Sequence, residues 1–277
     1  MAVSMSADQQ APTGFYDKRY SKEWQALQDK VFAEAQDGYF GQSSLTSTAD
    51  YDRIARWLDA GHGGHVLDMA CGSGAPSLRL AKATGCMVTG ADISAQAIAK
   101  ATAAATQAQL AQRVRFIQHD ASQPLPFAPG SFDAIMCVDA LVHLVDRHRI
   151  FAGWHAALKP GGRLVITDSI LTGPVSNAEI AERTVSGFYL FVPDGYNQRL
   201  LREAGFELRH FEDITATLAE SARRHCAARE RHAAELRAME GEAMFATLTR
   251  YRAMVERLAR ERRLSHHLVV AAKPADA

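Results

Sequence analysis

Between residues 64 and 274 short apolar runs alternate with helical stretches, and that alternation admits few folds. A strand followed by a helix and another strand is a βαβ unit, whose strands lie parallel and whose crossovers are right-handed. Residues 65–70 (HVLDMA), 86–93 (CMVTGADI), 114–120 (VRFIQHD), 132–140 (FDAIMCVDA) and 163–170 (RLVITDSI) read as five strands in series. A sixth is expected over 206–214 and a last over 266–274. Between them run the helical segments APSLRLAKATG, SAQAIAKATAAATQAQL and RHRIFAGWHAAL, with Ser94 as N-cap of the second. The fold class is α/β, a Rossmann-like sheet.

Two segments break the rhythm. Residues 171–196 carry a turn, a short helix and the aromatic stretch FYLFVPDGY. Residues 218–263 form a long helical pattern broken near Gly241. Both leave from strand carboxyl ends, the side where parallel sheets bind ligands. The division expected is an N-terminal arm or cap (1–50), a cofactor-binding core (51–170), an acceptor-side insertion (171–196), and a core helix and strand (197–217). A helical lid or dimerisation hairpin (218–263) and the last strand and tail (264–277) complete it.

The sharpest local feature is VLDMACGSGAP. Asp68 ends the first strand, and Ala70, Gly72, Ser73 and Gly74 form a small-residue turn where backbone N–H groups can approach a ligand. A dinucleotide fingerprint would place glycine at position 77, where Ser77 stands. A carboxylate just ahead of the turn suits a ligand with an ammonium group. Asp92, with Ile93 beside it, closes the second strand, where a carboxylate accepts ribose hydroxyls. Asp120 and Ala121 follow the third strand, near an adenine edge. One such Asp alone is more often a turn residue or helix cap. Three at successive strand ends converge on one rim, and together they describe S-adenosylmethionine better than NAD.

VLDMACGSG, GADIS, the HDA at 119–121, FDAIMCVDALVHL and LKPGGRLVITD resemble, in order, the motifs of class I S-adenosylmethionine-dependent methyltransferases over residues 64–170. The resemblance implies a seven-stranded sheet with its last strand antiparallel, S-adenosylmethionine as cofactor and S-adenosylhomocysteine as product. Ala70 departs from the glycine usual there, but it is small enough for cofactor binding to survive. A closer likeness is to the small-molecule branch with phosphoethanolamine and quinone-biosynthesis methyltransferases, carried by YFGQSSLTS, DALVHL and Thr167-Asp168. It implies that Leu45 and Thr46 cover the cofactor and that Cys137 and Val138 border its methionine part. His143 matches the histidine of a tyrosine–histidine dyad in phosphoethanolamine methyltransferases. Ser44 stands at the tyrosine position, which puts that dyad and that substrate in doubt.

A sulfonium methyl is already activated, so the protein must chiefly align an acceptor and exclude water. A hydroxyl or acidic carbon also needs a base, and His143 is the best candidate, its alternative being a wall residue that orients the acceptor. Asp139 and Asp168 end strands nearby and are the other catalytic candidates; either suits a cationic acceptor, and Asp168 equally suits a turn cap. Phe188, Tyr189, Phe191 and Tyr196 are placed to line an acceptor pocket, and Tyr16, Tyr20 and Tyr39 to close over it; packing is the alternative for each. The reaction expected is methyl transfer to N, O or C of a small metabolite, in natural-product or secondary metabolism. The alternatives are a non-catalytic cofactor-binding scaffold and an RNA or protein methyltransferase.

Lys+Arg and Asp+Glu both number 31, and this zero net charge argues against retention on nucleic acid or membrane by bulk charge. No basic, aromatic-rich extension and no signal-peptide pattern stands in the first 50 residues, so a cytoplasmic monomer or homodimer is expected. Cys71, Cys86, Cys137 and Cys226 show no paired spacing and read as reduced thiols. No metal is expected, since His225/His232 and His266/His267 lack supporting carboxylates and read as surface or strand residues. The neutral total hides an asymmetry: residues 218–263 hold 11 Arg and no Lys against 7 Glu. Most of that Arg should form a solvated face; any that turns inward implies an acceptor with a carboxylate or phosphate.

Overall fold

The computed structural model describes residues 22–184 and 189–275. Seven strands form one sheet: β1 (His65–Met69), β2 (Met87–Asp92), β3 (Val114–Gln118), β4 (Phe132–Cys137), β5 (Leu158–Leu171), β6 (Glu207–Asp213) and β7 (Leu264–Ala272). Their order is β3-β2-β1-β4-β5-β7-β6. The first five pair in parallel, and β7 runs antiparallel between β5 and β6. This is the seven-stranded sheet with a reversed last strand that the resemblance implies. The order reverses between β1 and β4, so a crevice opens beyond their carboxyl ends.

Among the described residues ten α-helices surround the sheet: α1 (Lys22–Ala35), α2 (Thr48–Leu58), α3 (Ala75–Thr84), α4 (Ala95–Gln107), α5 (Arg147–Ala157), α6 (Asn177–Arg183), α7 (Tyr196–Glu203), α8 (Thr215–Arg231), α9 (Ala233–Glu240) and α10 (Glu242–Arg260). Their starts follow from local chemistry. Ser94 accepts the Ala97 N–H, as its position predicts, and Ser47 and Ser176 form capping boxes with Asp50 and Glu179. Pro76 sits in the first turn of α3, where its missing N–H costs nothing.

Apolar residues of each strand alternate between two cores. Leu67, Ile135, Leu164 and Val269 face Phe151 and Trp154 of α5, while Val66, Ala134, Val165 and Leu268 face Ile54 and Leu58 of α2. A third core joins Leu218 and Ala222 of α8 to Tyr251, Val255 and Leu258 of α10, and a fourth seats α1 through Leu27 and Val31 against Ala228, Leu236 and Phe245.

Three details differ from the sequence reading. β5 starts at Leu158 instead of Arg163, because Leu158 already pairs with Phe132 before a register shift. The long helical stretch breaks at His232 as well as Gly241, giving three helices. His225 is not a surface residue: it is fully buried against Phe32, with neither ring nitrogen hydrogen-bonded. His266 and His267 lie in β7 as expected, both buried.

Candidate active site

Beyond the carboxyl ends of β1 to β4 lies a cavity of about 620 Å³. The sheet supplies one rim. Asp68, Ala70, Gly72 and Ser73 follow from β1, Asp92 and Ile93 from β2, Asp120 and Ala121 from beyond β3, and Val138 and Asp139 from beyond β4. Leu45 and Tyr51 close the near side, and Leu218, Leu248, Tyr251 and Val255 of α8 and α10 form the roof.

Asp68 is buried and accepts the Ser77 hydroxyl at 2.5 Å, so the serine at the third glycine position has a structural use. Burial pushes the Asp68 carboxyl up to about 7, against the Ser77 hydrogen bond and with help from Asp92. A buried carboxylate held this reluctantly in the charged state favours a cation brought to it. Burial also raises Asp92, which accepts N–H groups of Gly72 (2.9 Å) and Ser94 (2.9 Å). His119 lines the far end with a buried Nε2 that has no partner, a polar atom waiting for a ligand's edge. An ammonium acceptor, a ribose-side carboxylate and an orphaned ring nitrogen fit S-adenosylmethionine laid across the strand ends.

Ala70 and Asp139 both adopt left-handed backbone, at φ +59° and φ +55°. Such conformations at non-glycine residues cluster where a site imposes them. Asp139 is tied down on every side. It accepts His266 Nε2 at 2.7 Å and the hydroxyls of Thr46 (2.8 Å) and Thr167 (3.0 Å), while its own N–H donates to Thr167 at 3.0 Å. Burial alone would raise this carboxyl, but the His266 charge and these hydrogen bonds hold it well below the usual range. A carboxylate so satisfied is a poor proton acceptor.

Several expected residues sit elsewhere. Asp168 does not line the cavity; it is buried beneath it, bonded to Arg147 (2.6 Å) and Asn197 (2.8 Å). Cys137 points into the α5-side core, fully buried, and burial pushes its thiol up. Gly74 packs instead of lining: an added Cβ would meet the Phe116 ring at 2.5 Å and Ala101 at 2.8 Å. Thr46 reaches the site only through Asp139. Tyr39 and Tyr189 line the cavity; Phe191 and Tyr196 do not, and Tyr196 packs on the α5-side core. Tyr16, Tyr20 and Phe188 lie outside the described residues.

His143 ends a short 3₁₀ turn (Leu141–His143) after β4, lines the cavity and packs against Tyr189, ring centres 4.8 Å apart. Ser44 hydrogen-bonds the Tyr51 hydroxyl at 3.2 Å, so a phenol from α2 stands where the arm offers only serine. Tyr51, Arg183 and Tyr251 line the cavity but were invisible in the sequence, because each comes from an element whose motif is otherwise ordinary helix or strand, while His266, weighed there only as a metal ligand, meets the site through Asp139. Among the described residues no three His, Cys, Asp or Glu side chains gather as a metal would require, and no helix is long and apolar enough to cross a membrane.

A methyltransferase-domain family model matches residues 66–162. The chain is 33% identical over 261 residues to 27-O-demethylrifamycin SV methyltransferase of Amycolatopsis mediterranei (strain S699), covering 90% of this chain and 93% of that relative. It is 31% identical over 221 residues to O-methyltransferase cnsE of Penicillium expansum, covering 77% and 79% of the two. The solved structure of the cyclopropane synthase MmaA2 from Mycobacterium tuberculosis shares the fold, with TM-score 0.81 at 19% identity over 95% of this chain and 98% of that one.

Proposed function

The chain belongs to the S-adenosylmethionine-dependent methyltransferases, and from that premise we propose that it methylates a hydroxyl oxygen of a largely apolar natural product. The observation that carries this reading is the continuity of one cavity. It runs from the acidic rim at Asp68 and Asp92 into a wall of Leu45, Val142, Tyr189, Leu218, Tyr251 and Val255, with His143 between. Such a wall suits an acceptor larger and greasier than a small amine. Residues 218–263 act as its lid, and the acceptor is a small molecule instead of nucleic acid.

When bound, S-adenosylmethionine supplies a methyl group on a sulfonium, which needs no further activation. Asp68 receives the ammonium, Asp92 the ribose hydroxyls, and His119 with Ala121 the adenine edge. The Tyr251 and Val255 roof excludes water and holds the acceptor in line. His143 accepts the hydroxyl proton at a ring nitrogen as the oxygen attacks. Asp139, already saturated by His266 and two threonines, fixes the turn that carries His143.

Incubating the protein with S-adenosylmethionine and a panel of phenols, hydroxyquinones and macrocyclic alcohols tests this reading by mass spectrometry. Gain of a methyl on oxygen supports it. Binding of S-adenosylhomocysteine with no methylated product from any acceptor favours a non-catalytic scaffold.

A further inference from the structure

Among the described residues three arginines are buried, and they differ in how their charge is met. Arg147 is paired with Asp168 at 2.6 Å and Arg229 with Glu240 at 2.7 Å. Arg183, at the end of α6 and 7% exposed, has no such partner: among the described residues no carboxylate lies within ion-pair distance. Its guanidinium is framed by aromatic faces, 4.4 Å from the Tyr189 ring centre and 5.1 Å from that of Tyr251, and Nη1 donates to the Tyr251 hydroxyl. Its Nε is buried with no hydrogen-bond partner.

The cation is met at contact distance by ring faces and one phenol, with the Asp139 charge acting through space, but a buried Nε donor left unpaired is costly unless something else completes it. The side chain lines the cavity, on the acceptor side with Tyr189, His143 and Tyr251. Arg252 lies on the same wall, 5.7 Å from the Tyr251 ring centre, and adds positive charge. The one nearby acid, Asp139, is already committed to His266. The cofactor end is acidic, so the two ends of the cavity carry opposite signs.

We propose that Arg183 is the anion-binding site of the acceptor pocket, and that the acceptor is an acid carrying a carboxylate or an ionised phenol or enol. The planar guanidinium offers Nε and Nη donors in the fork geometry that oxyanions accept. Tyr189 and Tyr251 hold the fork in place and contribute flat surface for an aromatic or conjugated skeleton. The inference rests on the methyltransferase reading above and names the acceptor class for the same cavity.

The test uses the full chain saturated with S-adenosylhomocysteine, and titrates hydroxybenzoates, hydroxynaphthoates and their methyl esters by calorimetry. The wild type should bind the acids in preference to the matched esters, with an affinity that falls as salt rises. Arg183→Gln should weaken acid binding about tenfold or more while leaving ester binding unchanged. Arg183→Lys, which keeps the charge and loses the fork, should fall between. S-adenosylhomocysteine affinity and melting temperature report whether each variant is folded; if Arg183→Gln is not, the acid–ester contrast in the wild type and the Lys variant decide. No preference for acids among the probes, or acid binding that survives Arg183→Gln, overturns the proposal. Loss of S-adenosylhomocysteine binding by the wild type would instead overturn the methyltransferase reading.

Discussion

His266 Nε2 lies 2.7 Å from Asp139 Oδ1, joining the buried last strand to the turn that carries His143. His266 is 2% exposed. Burial alone would lower its imidazole, but Asp139 outweighs burial, with help from Asp50 and Asp168, and the net shift is upward. A histidine raised in the folded state stabilises fully below its unfolded value, and that stabilisation disappears as pH climbs through the raised one. Melting temperature should therefore fall on the alkaline side of neutrality, and His266→Gln should abolish that limb. Because the variant leaves Asp139 charged and under-partnered, it should cost on the order of 3 kcal/mol near neutral pH. Equal melting curves for the two proteins across that range would remove the pair from the stability account.

The proposed role of Asp68 as the ammonium site makes cofactor affinity depend on pH. Its carboxyl, pushed up to about 7 by burial, is largely protonated in slightly acidic solution, where it cannot hold an ammonium as an ion pair. S-adenosylhomocysteine binding should weaken roughly tenfold between about pH 8 and about pH 6, as linkage requires. Asp68→Asn should bind poorly at every pH. Because the folded state favours the neutral acid, the same substitution should raise the melting temperature of the ligand-free protein in mild alkali. Calorimetry and thermal denaturation on one preparation check both signs.

His143 as base predicts a selective kinetic defect. His143→Ala should lower kcat about a hundredfold or more with KM little changed, since general-base catalysis is worth roughly that much. A loss below about tenfold would make His143 a wall residue that orients the acceptor.

Asp168 is assigned to architecture. Asp168→Asn removes the charge that meets buried Arg147, at 0% and 2% side-chain exposure, and should destabilise by about 3–5 kcal/mol. In the folded fraction, turnover should change by less than about threefold. A large kcat loss with an unchanged melting temperature would return Asp168 to the chemistry.

Ala70 carries a φ of +59°, a conformation that costs a residue with a Cβ about 1–2 kcal/mol. Ala70→Gly should stabilise the protein by about 0.5–1 kcal/mol after the added flexibility of the unfolded chain is offset. Denaturant unfolding measures it, and any loss of stability would mean that the Ala70 methyl group packs usefully.

The sheet and the acidic rim of the cavity were legible because each strand carries its own local signal: an apolar run, then an acidic or small residue at the carboxyl end. Asp68, Asp92 and Asp120 therefore pointed to one edge before any coordinates. Asp168 was misplaced by the same logic, since a strand-end carboxylate that pairs with an arginine of a neighbouring helix looks identical in sequence to one that faces a ligand. Arg183 and Tyr251 were illegible because they meet across 68 residues, and no spacing rule reaches that far. The Arg-rich stretch 218–263 drew attention to a different segment from the one that holds Arg183, although its Arg229 and Arg252 also line the cavity. Most arginines of that stretch serve outward ion pairs, such as Arg223 and Arg224 with Glu220 and Arg257 with Glu179.

The strand that completes the sheet, β7, comes after the whole roof in the chain, and pairs with β5 over nine registered positions. The roof is thus a long loop whose two ends are clamped by strand pairing. Closing a loop grows more costly only with the logarithm of its length, about 0.6 kcal/mol for each doubling. Insertions at the exposed turn around Gly241, outside the buried faces of α8 to α10, should therefore be tolerated far better than changes of comparable size near β1. A change of length at that turn can reshape the roof, while the rim at Asp68 and Asp92, built from short tight turns, stays under the geometry of the sheet.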